Sequence, residues 1–152
     1  MAPPTVLLLS GPNLNLLGLR EPDVYGTATL DDHVATFRSA LGEAATVEHL
    51  QSNHEGVLVD AIHGARGRCA AIICNAGAFS HYAYALTDAL ATFDGVKIEV
   101  HLSNPAAREE WRHLSVIAPV VDGSITGLRA AGYRFAVEAV AALLADHSEG
   151  RS

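Results

Sequence analysis

Positively charged residues, cysteines, aromatic residues and long apolar runs are all scarce in this chain of 152 residues. Its 10 lysines and arginines stand against 17 aspartates and glutamates, and the net charge of -7 argues against general binding to nucleic acid or to an anionic membrane surface. The apolar run at residues 6–9 is too short for a signal-peptide core or a membrane span. We therefore expect a cytoplasmic protein with no nucleic-acid or membrane partner.

The few cysteines and the scattered histidines argue against a disulfide framework and against a metal site. Cys69 and Cys74 do not form a C-x-x-C pair, and Cys74 ends an apolar run in which a thiol behaves as a small hydrophobic group. The eight histidines include no pair four residues apart and no Cys/His cluster with zinc spacing. The sequence predicts neither a structural disulfide nor a bound metal.

What the chain does contain is aliphatic residues, because 49% of it is hydrophobic and only 6% is aromatic. A core of alanine, valine, leucine and isoleucine is typical of helices packed closely on a parallel sheet. The length fits a single domain over residues 1–152, with residues 1–4 and 147–152 as flexible tails.

Short aliphatic runs alternate with segments of helical periodicity along the chain. Strands are predicted at residues 5–10, 45–50, 70–74, 96–101 and 116–121, and helices at residues 30–41, 55–65, 81–92 and 128–145. Thr29 is a suitable N-cap for the first helix, and a polar tail is expected from Asp146. This alternation implies right-handed crossovers, and hence a flavodoxin-like α/β sandwich of three layers. Its five-stranded parallel sheet has helices on both faces and the predicted strand order 2-1-3-4-5.

Polar side chains cluster where the first, third and fourth predicted strands end. In a parallel α/β sheet these loops converge at the carboxyl edge, where ligands bind. The residues concerned are Asn13, Arg20, Tyr25, Asn75, His81, Glu99, His101 and Ser103. Strand-end asparagine, histidine and serine add little to a core, so an enzyme is the leading hypothesis.

Five segments in order along nearly the whole chain resemble one known family. They are Gly11-Pro12-Asn13-Leu14-Asn15, Arg20-Glu21-Pro22-Asp23-Val24-Tyr25-Gly26, Asn75-Ala76-Gly77-Ala78, Glu99-Val100-His101-Leu102-Ser103-Asn104 and Ala107-Arg108-Glu109-Glu110-Trp111-Arg112. The family is type II 3-dehydroquinate dehydratase, the type II dehydroquinase of the shikimate pathway. The resemblance implies a lyase that removes water from 3-dehydroquinate in trans, through an enolate, without metal, cofactor or Schiff base. It also implies a homododecamer of four trimers.

The resemblance assigns catalytic roles to Tyr25, Arg20, His101, Glu99 and Asn13. Tyr25 would be the base, and because a tyrosine has an ordinary pKa of about 10, a cation such as Arg20 must stabilise its phenolate. His101 would protonate the leaving hydroxyl while Glu99, two residues earlier on the same strand, fixes its tautomer. Asn13 would stabilise the enolate oxygen. From the local sequence alone, Tyr25 could equally pack in the core and Arg20 be a solvated surface charge.

Substrate binding would fall to neutral donors, a carboxylate and a cation, which suit a ring that carries hydroxyls and one carboxylate. The residues are Asn75, His81, Asp88, Leu102, Ser103 and Arg112, and Asp88 is expected to share a helix face with His81. Pro105-Ala106 and Ala78-Phe79 depart from the common family pattern, which has a histidine at the position of Ala106 and a glycine at that of Ala78.

Two other classes of protein remain alternatives. A flavodoxin-like flavin- or nucleotide-binding module shares the sheet, but it needs a phosphate-cradling loop after the first strand, and Gly11-Pro12-Asn13-Leu14-Asn15 is not G-x-G-x-x-G. A catalytically silent relative retained for assembly is the other alternative. Biosynthesis and quinate catabolism both use the same elimination, so either pathway fits the sequence.

Overall fold

The computed structural model describes residues 2–150. Within this range the strands are β1 Thr5–Ser10, β2 Thr46–Gln51, β3 Ala71–Asn75, β4 Val96–His101 and β5 Gly123–Thr126. The α-helices are α1 Pro22–Tyr25, α2 Leu30–Leu41, α3 Glu55–Ala65, α4 Tyr84–Ala91 and α5 Ala131–Glu149. None of these helices is long and apolar enough to cross a membrane.

The five strands form one parallel sheet in the order β2-β1-β3-β4-β5. This confirms the predicted flavodoxin-like architecture and its strand order. Since all strands run in the same direction, the loops that follow β1, β3 and β4 lie at one edge of the sheet.

Each face of the sheet packs on its own hydrophobic cluster. Alternate residues of β1 divide between them, with Leu8 in the cluster that also holds α2 and α5 side chains and Leu9 in the cluster that holds those of α3 and α4. On β4, Ile98 and Val100 belong to the first cluster. Because side chains alternate along a strand, Glu99 and His101 lie on the opposite face.

The start of α2 is fixed as the sequence predicts. The Thr29 side chain accepts a hydrogen bond from the backbone N–H of Asp32 at 3.1 Å, and the Asp32 carboxylate accepts one from the backbone N–H of Thr29 at 2.9 Å. This reciprocal pair satisfies two donors that the first turn of a helix leaves without intrahelical partners.

The fifth strand was predicted in the wrong place. Residues 116–121 form bends and a 3-10 turn at Ala118–Val120, and β5 is the more polar four-residue segment that follows. The residues at 116–121 are apolar because they pack against the core, not because they form a strand. Ile117 is fully buried in the cluster that holds the α3 and α4 side chains, and the neighbouring valines pack against that cluster. Pro119 also lacks the N–H that a sheet ladder requires.

The predicted ends of the last two helices need correction as well. Residues 77–81 form a separate 3-10 helix and α4 begins only at Tyr84, so His81 is not part of it. The last helix, α5, begins at Ala131 and continues to Glu149. The polar tail predicted from Asp146, with flexibility from residue 147, is therefore helical as far as Glu149. Of the predicted tails, residues 1, 151 and 152 lie outside the described part of the chain.

Candidate active site

The loops after β1, β3 and β4 enclose a cavity of about 240 Å³ at the carboxyl edge of the sheet. Nine of the predicted site residues line it: Asn13, Arg20, Tyr25, Asn75, His81, His101, Leu102, Ser103 and Arg112. Pro12, Leu14, Gly77, Ala78, Pro105, Arg108 and Trp111 complete the lining. The topology thus brings side chains that are far apart in sequence to one cavity.

Two arginines converge on the hydroxyl of Tyr25, which lies at the end of α1. Arg108 Nη1 donates to the Tyr25 oxygen at 2.7 Å, and Arg20 Nη2 donates to it at 3.4 Å. Both guanidinium groups also lie over the tyrosine ring, with Arg20 Cζ 4.7 Å and Arg108 Cζ 5.1 Å from its centroid. Arg20 divides its charge between Tyr25 and the Glu21 carboxylate, which is 3.0 Å away. Two cationic donors thus face the same hydroxyl oxygen.

Sequence reasoning did not assign Arg108, although the residue makes the shorter of the two contacts. It stands 83 residues after Tyr25, so no local spacing connects the two. The available signal was its place in the segment Ala107-Arg108-Glu109-Glu110-Trp111-Arg112, where only Arg112 was assigned. A further clue was position, because Arg108 directly follows the short 3-10 turn Pro105–Ala107, which comes soon after the end of β4.

The second polar centre is a buried pair at the end of β4. His101 Nε2 and Glu99 Oε2 are 2.8 Å apart, and Glu99 is only 1% exposed. Burial by itself would raise the pKa of Glu99, but the hydrogen bond and charge of His101, together with hydrogen bonds from Ser115 and Ser124, hold that pKa below its ordinary value. Because Nε2 is bonded to the carboxylate, Nδ1 is the ring nitrogen of His101 that remains for a ligand.

Asn13 has a left-handed backbone, with φ of 66°. Its backbone N–H donates to Asn53 Oδ1 at 3.0 Å, and Gln51 Nε2 donates to that same oxygen at 3.2 Å. Asparagine tolerates this conformation better than most residues. The loop after β2 therefore helps to hold Asn13 at the cavity.

Asn75 is fixed by hydrogen bonds on both sides of its amide. Its Oδ1 accepts from the backbone N–H of Gly77 at 3.3 Å, and its Nδ2 donates to the hydroxyl of Tyr133 at 3.3 Å. Since Nδ2 carries two hydrogens, one of them remains for a ligand in the cavity.

His81 presents its Nε2 to the cavity, because Nδ1 donates to the carbonyl oxygen of Leu114 at 2.8 Å. Its ring stacks near that of His101, with 6.4 Å between centroids, and meets the edge of Trp111 at 5.5 Å. Burial lowers the pKa of His81, and the neighbouring charges of His101 and Arg112 lower it further against the opposing effect of the Leu114 carbonyl. The neutral form of His81 is therefore favoured over the charged form, and a neutral Nε2 can accept a hydrogen bond.

Asp88 is the one predicted substrate-binding residue that does not line this cavity. It is exposed on α4, whereas His81 belongs to the preceding 3-10 helix. The predicted helix face shared by these two residues is wrong for that reason.

The comparisons with known proteins agree on one family. The family model for class II dehydroquinases matches residues 4–141. This chain belongs to the class II dehydroquinase family. It is 57% identical over 135 residues to a 3-dehydroquinate dehydratase from Bacillus licheniformis, covering 88% of this chain and 93% of the relative. It is 51% identical over 138 residues to a catabolic 3-dehydroquinase from Aspergillus clavatus, covering 90% and 92%. The crystal structure of a type II dehydroquinase from Butyrivibrio crossotus superposes with a TM-score of 0.89 at 40% identity, covering 92% of this chain and 99% of that one.

The flavin- or nucleotide-binding alternative is not favoured in this class II dehydroquinase. The segment after β1 enters a three-residue 3-10 turn, Leu14–Leu16, rather than the amino end of a long helix. The amino end of such a helix is the usual phosphate-binding site in nucleotide-binding α/β sheets.

The two departures from the common family pattern lie beside the cavity. Pro105 and Ala78 line it, while Phe79 is buried and meets Tyr82 edge to face at 6.0 Å between ring centroids. Pro105 opens the 3-10 turn that precedes Arg108, with Asn104 as its cap. The departures thus leave the contacts of Tyr25 and His101 in place.

Proposed function

We propose that this class II dehydroquinase removes water in trans from 3-dehydroquinate to give 3-dehydroshikimate, and that the cavity at the carboxyl edge is where it does so. The reaction is a step of the shikimate pathway, which leads to chorismate and the aromatic amino acids. The observation that carries the proposal is one cavity with a tyrosine hydroxyl held by two arginines and an imidazole held by a buried carboxylate.

The base is Tyr25. As a phenolate it takes the proton next to the substrate ketone, and the electron pair moves into the carbonyl group to form an enolate. Arg108 and Arg20 stabilise the phenolate before the transfer, since both donate to the same oxygen.

The acid is His101. Its Nδ1 gives a proton to the departing hydroxyl as the C–O bond breaks, while Glu99 holds the other nitrogen and balances the positive charge of the imidazolium. The enolate electrons then form the new C=C bond of the enone. Asn13 stabilises the enolate oxygen from the left-handed turn after β1.

The remaining lining residues bind the substrate. Neutral donors at Ser103 and at the backbone of Leu102 suit the substrate carboxylate, while Asn75, His81 and Arg112 suit the ring hydroxyls. Two contacts position Arg112 for this role. It forms an ion pair with Glu109, and its Cζ lies 3.9 Å from the centroid of the Trp111 ring.

The protein acts as a homododecamer, a tetramer of trimers, in the cytoplasm. Asp88 lies outside the cavity of its own chain and is exposed on α4. A substrate contact from Asp88 therefore requires the cavity of a neighbouring protomer. Sedimentation of the purified protein tests the assembly, and a monomer that is fully active would contradict it.

The activity is tested by mixing purified protein with 3-dehydroquinate and following the ultraviolet absorbance of the conjugated enone, with and without a metal chelator. Tyr25→Phe removes the proposed base and is expected to lower kcat by more than about a hundredfold. Tyr82→Phe removes the hydroxyl of a tyrosine that is 56% exposed and does not line the cavity, and it is expected to leave the rate unchanged. A folded wild-type protein that produces no enone would refute the proposed activity.

A further inference from the structure

The Glu99 carboxylate has two hydrogen-bond partners besides His101. Ser115 Oγ donates to Oε2 at 2.6 Å, and Ser124 Oγ donates to Oε1 at 2.9 Å. Neither serine lines the substrate cavity. A buried carboxylate is thus held by two hydroxyl groups that have no contact with the proposed substrate position.

The fold gives Ser124 this position through strand pairing. Ser124 on β5 is the register partner of Glu99 on β4, and β5 is the edge strand of the sheet. Ser115 approaches from the segment before the Ala118–Val120 turn, where its oxygen also accepts from the backbone N–H of Ala118 at 3.1 Å. Both serines border a second cavity, of about 460 Å³, on the β5 side of the His101 and Glu99 pair.

We propose that Ser124 and Ser115 are positioning residues that set how firmly His101 holds the proton it delivers, and that they do so through Glu99. The inference rests on the proposed role of His101 as the acid. A buried carboxylate with no other donors attracts the imidazolium proton strongly and makes it a weak acid. The two hydroxyls take up part of that negative charge.

The effect differs between the two states of the pair. Before the transfer Glu99 faces a positive imidazolium, and after it Glu99 faces a neutral ring and depends on the serines for stabilisation. The hydroxyls therefore stabilise the pair more after His101 has lost its proton. Their presence lowers the proton affinity of the pair, and their removal raises it.

The test is the pH dependence of kcat for Ser124→Ala, measured with the enone assay on the assembled protein. The alkaline limb of kcat is expected to move upward by about 0.5 to 1 pH unit, which is a threefold to tenfold change in proton affinity. This change is smaller than the full contribution of one hydrogen bond to a charged group, because the bond is present in both states of the pair. KM is expected to stay within about twofold, because Ser124 is outside the substrate cavity.

Two matched variants separate this effect from a structural one. Ser124→Thr keeps the hydroxyl and is expected to restore the wild-type limb. Thr126→Val removes a hydroxyl two residues along the same face of β5, in the same cavity but without a hydrogen bond to Glu99, and is expected to change nothing. If alanine lowers the stability, Ser124→Cys supplies a weaker donor of similar size and is expected to shift the limb in the same direction.

An unchanged limb in an active Ser124→Ala protein overturns the inference, as does an equal shift in Thr126→Val or a failure of Ser124→Thr to restore it. These outcomes leave the proposed activity standing. A folded wild-type protein without activity would instead remove the proposed function, and this inference with it.

Discussion

Replacing Arg108 with glutamine should damage the reaction more than the same change at Arg20. The two arginines share the Tyr25 hydroxyl unequally, since Arg108 donates at 2.7 Å and Arg20 at 3.4 Å. Arg20 also forms an ion pair with Glu21, which is open to solvent. The stronger of the two stabilising contacts to the phenolate therefore comes from the arginine further along the chain.

The magnitude follows from the type of contact. A hydrogen bond to a charged group contributes about 1.5–3 kcal/mol, so its loss in Arg108→Gln is expected to lower kcat/KM by about 10- to 150-fold. The 3.4 Å contact of Arg20 is close to the limit for a hydrogen bond, and Arg20→Gln should cost less than about tenfold. Arg108→Lys keeps the charge but not the planar donor geometry and should fall between wild type and glutamine.

The assay is the formation of the enone across a range of pH. Without Arg108 the Tyr25 oxygen loses its shorter cationic contact, so kcat/KM should be lower across that range. Urea unfolding and sedimentation of each variant check that the fold and the assembly are intact. A loss in Arg20→Gln that equals or exceeds the loss in Arg108→Gln would refute the reasoning from the two distances.

Two further predictions concern close packing and a buried histidine. Gly11→Ala places a Cβ 2.3 Å from the carbonyl oxygen of Ala76, so the loops that carry Asn13 and Asn75 must separate. We expect a loss of about 1–3 kcal/mol of stability in urea unfolding and a more than tenfold lower kcat. Gly56→Ala, in α3 with open space around it, is the control and should show neither loss. Burial lowers the pKa of His33 against the opposing charge of Asp32. Below the ordinary histidine pKa of about 6.5, the unfolded chain therefore binds a proton at His33 more readily than the folded chain does. Stability should fall from pH 7.5 to 5.5, and His33→Leu should make that fall shallower; an unchanged slope would contradict the assignment.

The sheet was readable from the sequence where a strand is buried on both faces. The short aliphatic runs of β1, β3 and β4 are typical of buried strands, and the structure has strands there. The N-cap residue Thr29 likewise indicated where α2 begins. The edge strand β5 was missed because its signal is weak. It has four residues and exposed side chains at Ser124 and Thr126, while the stronger apolar run before it packs as a loop.

Seven of the residues that line the cavity were readable from the predicted strand ends, whereas their individual roles came only from the family resemblance. Tyr25, His101 and Asn13 lie on segments whose positions follow directly from strand ends. Arg108 and Ser124 act across loops or strands, and their partners stand 83 and 25 residues away. Contacts of that kind depend on tertiary geometry, which periodicity does not encode.

The charges around the two proposed proton-transfer groups are opposite in sign, and this arrangement suits the reaction. Tyr25, the proposed base, has two guanidinium groups around its oxygen. His101, the proposed acid, has a carboxylate at its Nε2. In the proposed reaction each group carries a charge opposite to that of its neighbours: a phenolate beside guanidinium groups, and an imidazolium beside a carboxylate. In that mechanism the enzyme is restored when one proton passes from the tyrosine to the imidazole after the product leaves. The proposed role of Ser115 and Ser124 is to keep His101 from holding that proton too firmly for the next donation.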